Sequence, residues 1–460
     1  MFKSRISNSI TAKMASMFKK GSSNRDTRYQ SRFITLENGL GLSLVSFPGV
    51  KTVSLRCFVF VGSVYESREN SGISHFLEHM LFRGNETLGD AATMSVKMEE
   101  LGGEFNAATS FDQTEFWLDI HLDYLKQGIE RFCQFIQFPL FEQLETERSI
   151  ILEEILGDYN DENNLIDLDS LTSNLLWPNH AMGMPIIGTV ETVKKVSKQD
   201  LINWHDRFYI PSNMIIGIAG DIDLGQIIDS INSQFSVGKS KRIKNYPQIH
   251  AKPKIGDQLS LVFDKDNQFS IQWSFPVYEL TRNLRIQYEL LQRILDGGNS
   301  SRLQRMIREE KGLVYDISLD STYFNTGIIM SVQSVVGVNR LSELMDALVE
   351  LINDLVEKGV TEQELRVAKA RYKAALECNN DTAQGILYDS LMPRLTPSGA
   401  EYRDILPVLT EATIDSVNST LKQLLDQHLT TFVLVGPWGE SEEKMLKTKL
   451  QPWISGKNIS

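Results

Sequence analysis

The chain has 460 residues, 42% of them hydrophobic and 23% charged, with a formal net charge of -12. That length exceeds what one ordinary core fills and suits two sizeable lobes, while no apolar run approaches the roughly 18 residues of a membrane span, so no transmembrane segment is expected. The acidic balance argues against a nucleic-acid partner.

The charge is uneven. Lys3, Arg5, Lys13, Lys19, Lys20, Arg25 and Arg28 against Asp26 give residues 1–30 a net +6 and leave -18 for the remainder. In that leader Phe2, Ile6, Ile10, Met14 and Met17 stand at near-helical spacing among basic and hydroxyl residues, which suits an import presequence, a surface helix or an untethered tail and not a secretion signal. Beyond it Phe33, Thr35, Gly39, Gly41 and Leu42 predict a hairpin-like entry into a strand in which Val53, Leu55, Cys57, Val59 and Val61 alternate. Helical patterns follow over 72–82, 91–101, 122–137 and 144–157, with a strand signal over 104–122. Cys57, Cys133 and Cys378 are isolated in apolar stretches and predict buried free thiols, so any metal must find other ligands.

The basic segment 237–256, with two prolines and no apolar period, predicts a linker between a first domain over 31–236 and a second over 257–460. A faint echo joins the two: 189–221 reads as helix, Pro211, then a strand over 214–219, and 409–437 as helix, then a strand over 431–435. A period of about 220 residues is far above that of solenoid repeats and implies duplication of a whole domain.

Chemistry concentrates at Ser74-His75-Phe76-Leu77-Glu78-His79. His75 and His79, four apart, share one helix face, and with Glu78 they cluster within about 100° of arc. Ile73, Phe76, Leu77, Met80 and Leu81 take the opposite side. A helix that buries its apolar side and presents two imidazoles and a carboxylate suits a metal centre, zinc taking imidazole nitrogen readily. The order His-x-x-Glu-His is the inverted zinc-peptidase signature. A catalytic zinc takes three protein ligands and leaves a place for water. The helix predicted over 144–157 offers Glu147 and Glu154, seven apart on one face with Ile150 and Ile151, and Glu153 competes about 100° away.

On these residues the chain resembles the pitrilysin-like M16 metallopeptidases, particularly their short two-domain members, which include processing peptidases. The resemblance spans nearly everything from about residue 33 and implies an α+β fold: two homologous α/β-sandwich domains forming one half of a clamshell chamber. It implies His75, His79 and Glu154 as ligands of one zinc per subunit, Glu78 as general base and Glu147 as a supporting carboxylate. The segment 102–110 resembles the family's edge strand, so Phe105, Asn106, Ala107, Ala108 and Thr109 are expected to pair with an extended peptide through backbone hydrogen bonds. Arg308 and Tyr315 resemble a pair that stabilises the oxyanion of the attacked carbonyl. Because the family places that pair opposite the metal, the resemblance implies a homodimer completing two sites, or a heterodimer with a sister subunit. The implied activity is endopeptidase cleavage of unfolded peptides or presequences, and the contrasting expectation is a structural or regulatory subunit without catalysis. The run Asp158, Asp161, Glu162, Asp167 and Asp169 is a solvated face or a preference for basic peptides. The leader points to the mitochondrial matrix, whereas the Arg308/Tyr315 pair and the run over 159–164 look more like bacterial members, so a bacterial-type cytoplasm is the expected location.

Overall fold

The computed structural model describes residues 28–235, 258–325, 327–425 and 430–454. The expected linker and the leader through residue 27 lie outside them. The first half contributes β1 (Gln30–Thr35), β2 (Gly41–Ser46), β3 (Thr52–Val59), the two-residue β4 (Gly84–Asn85) and β5 (Gly89–Asp90), β6 (Glu104–Thr109), β7 (Thr114–His121) and β8 (Met214–Gly220). The second contributes β9 (Leu259–Phe263), β10 (Gln268–Tyr278), β11 (Ile317–Phe324), β12 (Gly327–Gly337) and β13 (Thr431–Gly436). Two sheets result, in the orders β1-β2-β8-β3-β7-β6 and β11-β12-β10-β13-β9. The single strand signal over 104–122 is a hairpin instead: Ser110 N–H donates to Gln113 O at 2.8 Å, and the turn folds β6 back onto β7.

Laid side by side, the sheets share one topology. β2 runs parallel to β8 as β9 does to β13; β3 is antiparallel to β8 and β7 as β10 is to β13 and β12; and β6 borders β7 as β11 borders β12. The faint echo in the sequence therefore marks equivalent strands, β8 and β13. Each sheet has its own core, with Phe76, Phe116, Phe132 and Phe135 in the first and Trp273, Tyr288, Leu348 and Phe432 in the second.

The halves are interlocked. The helix Ala383–Leu395, from the second half, seats Ile386, Leu387 and Leu391 on Val45, Phe58, Ile215 and Ala219 of the first sheet. Gly217 on β8 permits that approach, since a Cβ there would lie 2.8 Å from Leu391 Cδ1 and 3.0 Å from Leu387 Cδ1. Conversely the helix Leu168–Leu176, from the first half, covers the second sheet, where Gln272 Nε2 donates to Asp169 Oδ1 and Thr172 Oγ1, each at 3.0 Å. Each fully buried aliphatic side chain in such a contact contributes about 1.5–3 kcal/mol. Cys57 and Cys133 are buried free thiols, but Cys378 is exposed, because the helix Glu362–Asn379 turns it to solvent. No helix among the described residues is long and apolar enough to cross a membrane.

Candidate metal centre and the adjoining sheet edge

The helix Ile73–Leu81 follows Gly72, whose φ of 88° lets its backbone pack against Ile187 O and Gly188. Glu66 closes the helix start, accepting from Gly72 N–H at 2.7 Å and Ser74 N–H at 2.8 Å. The helix is more enclosed than its two-sided pattern suggests: His75 is 9% exposed and Glu78 8%, alongside the fully buried Phe76, Leu77, Met80 and Leu81. Polar groups in such a place need partners.

The helix Leu144–Gly157 supplies one to His79, whereas His75 Nδ1 has no hydrogen-bond partner among the described residues. Glu147, 3% exposed, accepts from His79 Nδ1 at 2.7 Å, and its other oxygen accepts from Arg83 Nε. A proton on Nδ1 leaves Nε2 as the free lone pair of His79. Two turns onward, Glu154 places Oε1 3.7 Å from His75 Nε2 and Oε2 3.7 Å from His79 Nε2. Glu153 does not join them: among the described residues the group that can hold an ion is His75, His79 and Glu154, with donor atoms within 4.8 Å of one another. Ile150, expected on the shared apolar face, is 43% exposed, whereas Ile151 is fully buried.

A separation of 3.7 Å is too long for a hydrogen bond. It approaches the spacing of about 3.4 Å that two ligands take around a tetrahedral zinc with bonds near 2.1 Å. Electrostatics point the same way. Burial and the neighbouring His79 push the His75 pKa down to about 3, which keeps it a neutral nitrogen donor. For His79 burial opposes the cation, but the hydrogen bond and charge of Glu147, with Glu78 and Glu154, raise its pKa above the ordinary value. Three carboxylates around two imidazoles thus draw positive charge into the centre, and two nitrogens and a carboxylate form a set that fits zinc.

Glu78 lies between the metal-type cluster and a sheet edge. Its pKa is raised by burial, countered by the hydroxyl of Thr109, which donates to Oε2 at 2.5 Å. Thr109 ends β6, which pairs with β7 on one side and, among the described residues, with no strand on the other. Phe105, Ala107 and Thr109 turn to the half-buried face, and Asn106 and Ala108 to the exposed one. Arg83 did not stand out in the sequence, and Thr109 was expected there only as a member of the edge strand, not as the hydrogen-bond donor to Glu78.

Arg308 and Tyr315 lie elsewhere. Arg308 sits in the π-helical segment Gln304–Glu310, with its guanidinium carbon 6.0 Å from the Tyr315 ring centre, and Tyr315 is 90% exposed. Among the described residues no hydrogen bond, ion pair or ring contact joins either to the histidine helix or to Glu154. Beside Glu154 a cleft of about 240 Å³ is lined by Asp158, Asp167 and Asp169. Burial, Asp167 and Glu154 push the Asp158 pKa up to about 6, so this cleft disfavours further negative charge.

Known proteins resemble this chain in both sequence and fold. Residues 43–190 match the family described as Insulinase (Peptidase family M16), and residues 195–372 match the Peptidase M16 inactive domain. An uncharacterized zinc protease of Rickettsia felis is 29% identical over 415 residues, covering 87% of this chain and 96% of that protein. A protease from Helicobacter pylori has the same fold, with a TM-score of 0.81 at 20% identity, covering 89% of this chain and 99% of that one. The periplasmic protease PqqL of Escherichia coli matches 95% of this chain with 51% of its own, at 18% identity and a TM-score of 0.73, so the present chain has the fold of half of that molecule. With adjoining domains of one family matched in sequence over 43–190 and 195–372, and two sheets of the same fold, the chain belongs to the M16 peptidase family.

Proposed function

We propose that this protein is a zinc-dependent endopeptidase that hydrolyses extended, unfolded peptides or presequences inside a chamber closed by two chains. The observation that carries the reading is the convergence of His75 Nε2, His79 Nε2 and the Glu154 carboxylate within 4.8 Å, beside Glu78 and beneath an unpaired sheet edge. His75, His79 and Glu154 would hold one zinc per subunit, and when bound it supplies Lewis-acid polarisation of water and of the scissile carbonyl.

The chain's own residues account for the rest. An extended peptide adds to the free side of β6 over Phe105–Thr109, main chain to main chain, which gives affinity with little demand on sequence. Glu78 accepts the proton of the attacking water and returns it to the leaving amine. Glu147 fixes the ring orientation of His79, and Arg83 holds Glu147. Basic peptide side chains fit the acidic cleft beside Glu154. Arg308, half-buried, and Tyr315, 90% exposed, are joined to their own chain's cluster by no contact among the described residues and would stabilise the oxyanion in a partner's site. A homodimer completes two sites in this way, and a sister subunit would serve equally.

Cleavage of a quenched unstructured peptide with basic residues tests the reading. Glu78→Gln should retain zinc and lose about 10²–10⁴-fold in rate, and chelation should abolish cleavage reversibly. Mixing Glu78→Gln with Arg308→Ala tests assembly: random re-association of a homodimer restores roughly one quarter of the wild-type sites. No recovery from a dimer that exchanges subunits would sink the shared-site arrangement. A chain that binds zinc but cleaves nothing, alone or mixed, would favour the non-catalytic subunit.

A further inference from the structure

The second half carries a cleft that the peptidase chemistry does not use. It measures about 400 Å³ and lies where the helix Arg282–Asp296 ends, the loop 297–301 turns, and the helix Glu362–Asn379 begins. Arg293, Arg302, Arg305, Lys358 and Arg371 line it against Asp354 and Glu364. Five cations against two carboxylates leave three positive charges, on a chain whose formal charge is -12.

Both carboxylates are already engaged. Arg302, 4% exposed, donates Nε to Glu364 Oε1 at 2.6 Å and a terminal nitrogen to Asp354 Oδ2 at 3.1 Å, and Lys358 Nζ lies 2.6 Å from Asp354 Oδ1. Arg293, Arg305 and Arg371 are held more loosely. Arg293 gives one N–H to Glu289 O at 2.7 Å and rests 3.7 Å over the Tyr372 ring, and Arg305 approaches Glu310 at 3.7 Å. The Arg371 guanidinium packs on Gly298, where φ is 145° and a Cβ would stand 2.7 Å from its nearest nitrogen, and among the described residues it has no ion pair.

A second observation points to an occupant. Ser301 lines the cleft, is 7% exposed, and its hydroxyl has no hydrogen-bond partner among the described residues. Buried hydroxyls are nearly always paired, and this one belongs to a residue of the cleft wall.

We propose that the cleft binds a phosphate group. Guanidinium forks match the paired oxygens of a tetrahedral oxyanion better than a lone ammonium does, Ser301 adds a neutral donor, and the volume admits either free phosphate or the terminal phosphate of a nucleotide. The site is independent of the peptidase reading. An occupant would also brace the start of the segment that carries Arg308, since the same loop runs directly into it.

The test is calorimetric titration of the full-length protein, stripped of metal so that phosphate has no zinc to bind, with inorganic phosphate and with ATP separately. Saturable binding of either is expected, the tighter of the two naming the source. Replacing Arg305 and Arg371 together by alanine should weaken it at least about tenfold, Ser301→Ala by less, and Arg371→Lys should keep the charge yet fall between. These side chains face the cleft, and unchanged circular dichroism confirms an intact fold. Glu154→Gln should bind as wild type. Failure of both ligands to bind, unchanged binding in the double variant, or loss in Glu154→Gln would each overturn the proposal.

Discussion

The two sheets differ most where they are most alike. In the first half the helix after β3 presents His75 and His79, the edge strand β6 supplies Thr109, and the helix Leu144–Gly157 supplies Glu147 and Glu154. At the equivalent places in the second half, the helix Arg282–Asp296 presents Glu289, the edge strand β11 supplies Tyr323, and the helix Glu362–Asn379 supplies Tyr372. There Tyr323 donates to Glu289 at 3.2 Å, Tyr372 donates to its other oxygen, and Arg285 Nε donates at 3.0 Å. Glu289 is thereby closed in by three donors on its two oxygens, although Arg285 Nη1 is left without a hydrogen-bond partner among the described residues, and the network stabilises the fold. The first is open, with two ring nitrogens and a carboxylate facing one point at distances too long to bond one another. One scaffold thus gives a strut in one copy and a candidate reactive centre in the other, by exchanging phenols and a guanidinium for imidazoles.

Substitutions can separate the two roles. The largest effect is expected from Glu154→Gln, which should remove bound zinc and reduce peptide cleavage to background, read by atomic emission and by the quenched substrate. Retained zinc with full activity would return the site to a strut like its counterpart. Next, Thr109→Val removes the hydroxyl that lowers the Glu78 pKa. Because the proposed base, Glu78, must be ionised, the acidic limb of the rate profile should move to higher pH with zinc content unchanged; an unmoved limb would reduce Thr109 to a packing residue. In the second half, Glu289→Gln should leave cleavage untouched and cost about 1–3 kcal/mol of stability in denaturant unfolding, and a loss of activity without destabilisation would break the contrast. The smallest effect concerns Asp389, on the exchanged helix Ala383–Leu395. Burial raises its pKa from 3.8 to about 7 although Tyr402 N–H donates to it. Its protonated form is favoured by the fold, so the stability it contributes is complete below pH 3.8 and lost as pH rises through 7. Asp389→Asn should therefore flatten the fall in melting temperature between acidic and alkaline buffer, and an unaltered fall would assign it to other groups.

The legible parts of this site were those set by local periodicity. Four residues put His75 and His79 on one face, seven put Glu147 and Glu154 on another, and the helix Leu144–Gly157 has the limits that its pattern predicts. What pattern could not carry was contact between segments. Arg83 reaches Glu147 across 64 positions and Thr109 reaches Glu78 across 31, and neither has a composition that marks it. Burial misled in both directions: Cys378 and Ile150 look like core and face solvent, while His75 and Glu78 look like surface and are enclosed. The duplication was faint in sequence, whereas in strand order β2, β8, β3, β7 and β6 match β9, β13, β10, β12 and β11, with β1 left without a counterpart among the described residues.

The helix exchange bears on how this chain can be divided. A cut in 237–256 separates the two sheets in sequence, yet each fragment keeps a helix whose apolar side belongs on the other, Ile386, Leu387 and Leu391 in one direction and Leu176 with Trp177 in the other. Neither piece is expected to stay monomeric and soluble by itself. Expressed together from separate reading frames, the two should reassemble without a covalent join, making the protein a natural split reporter whose signal would be the proposed cleavage of peptide.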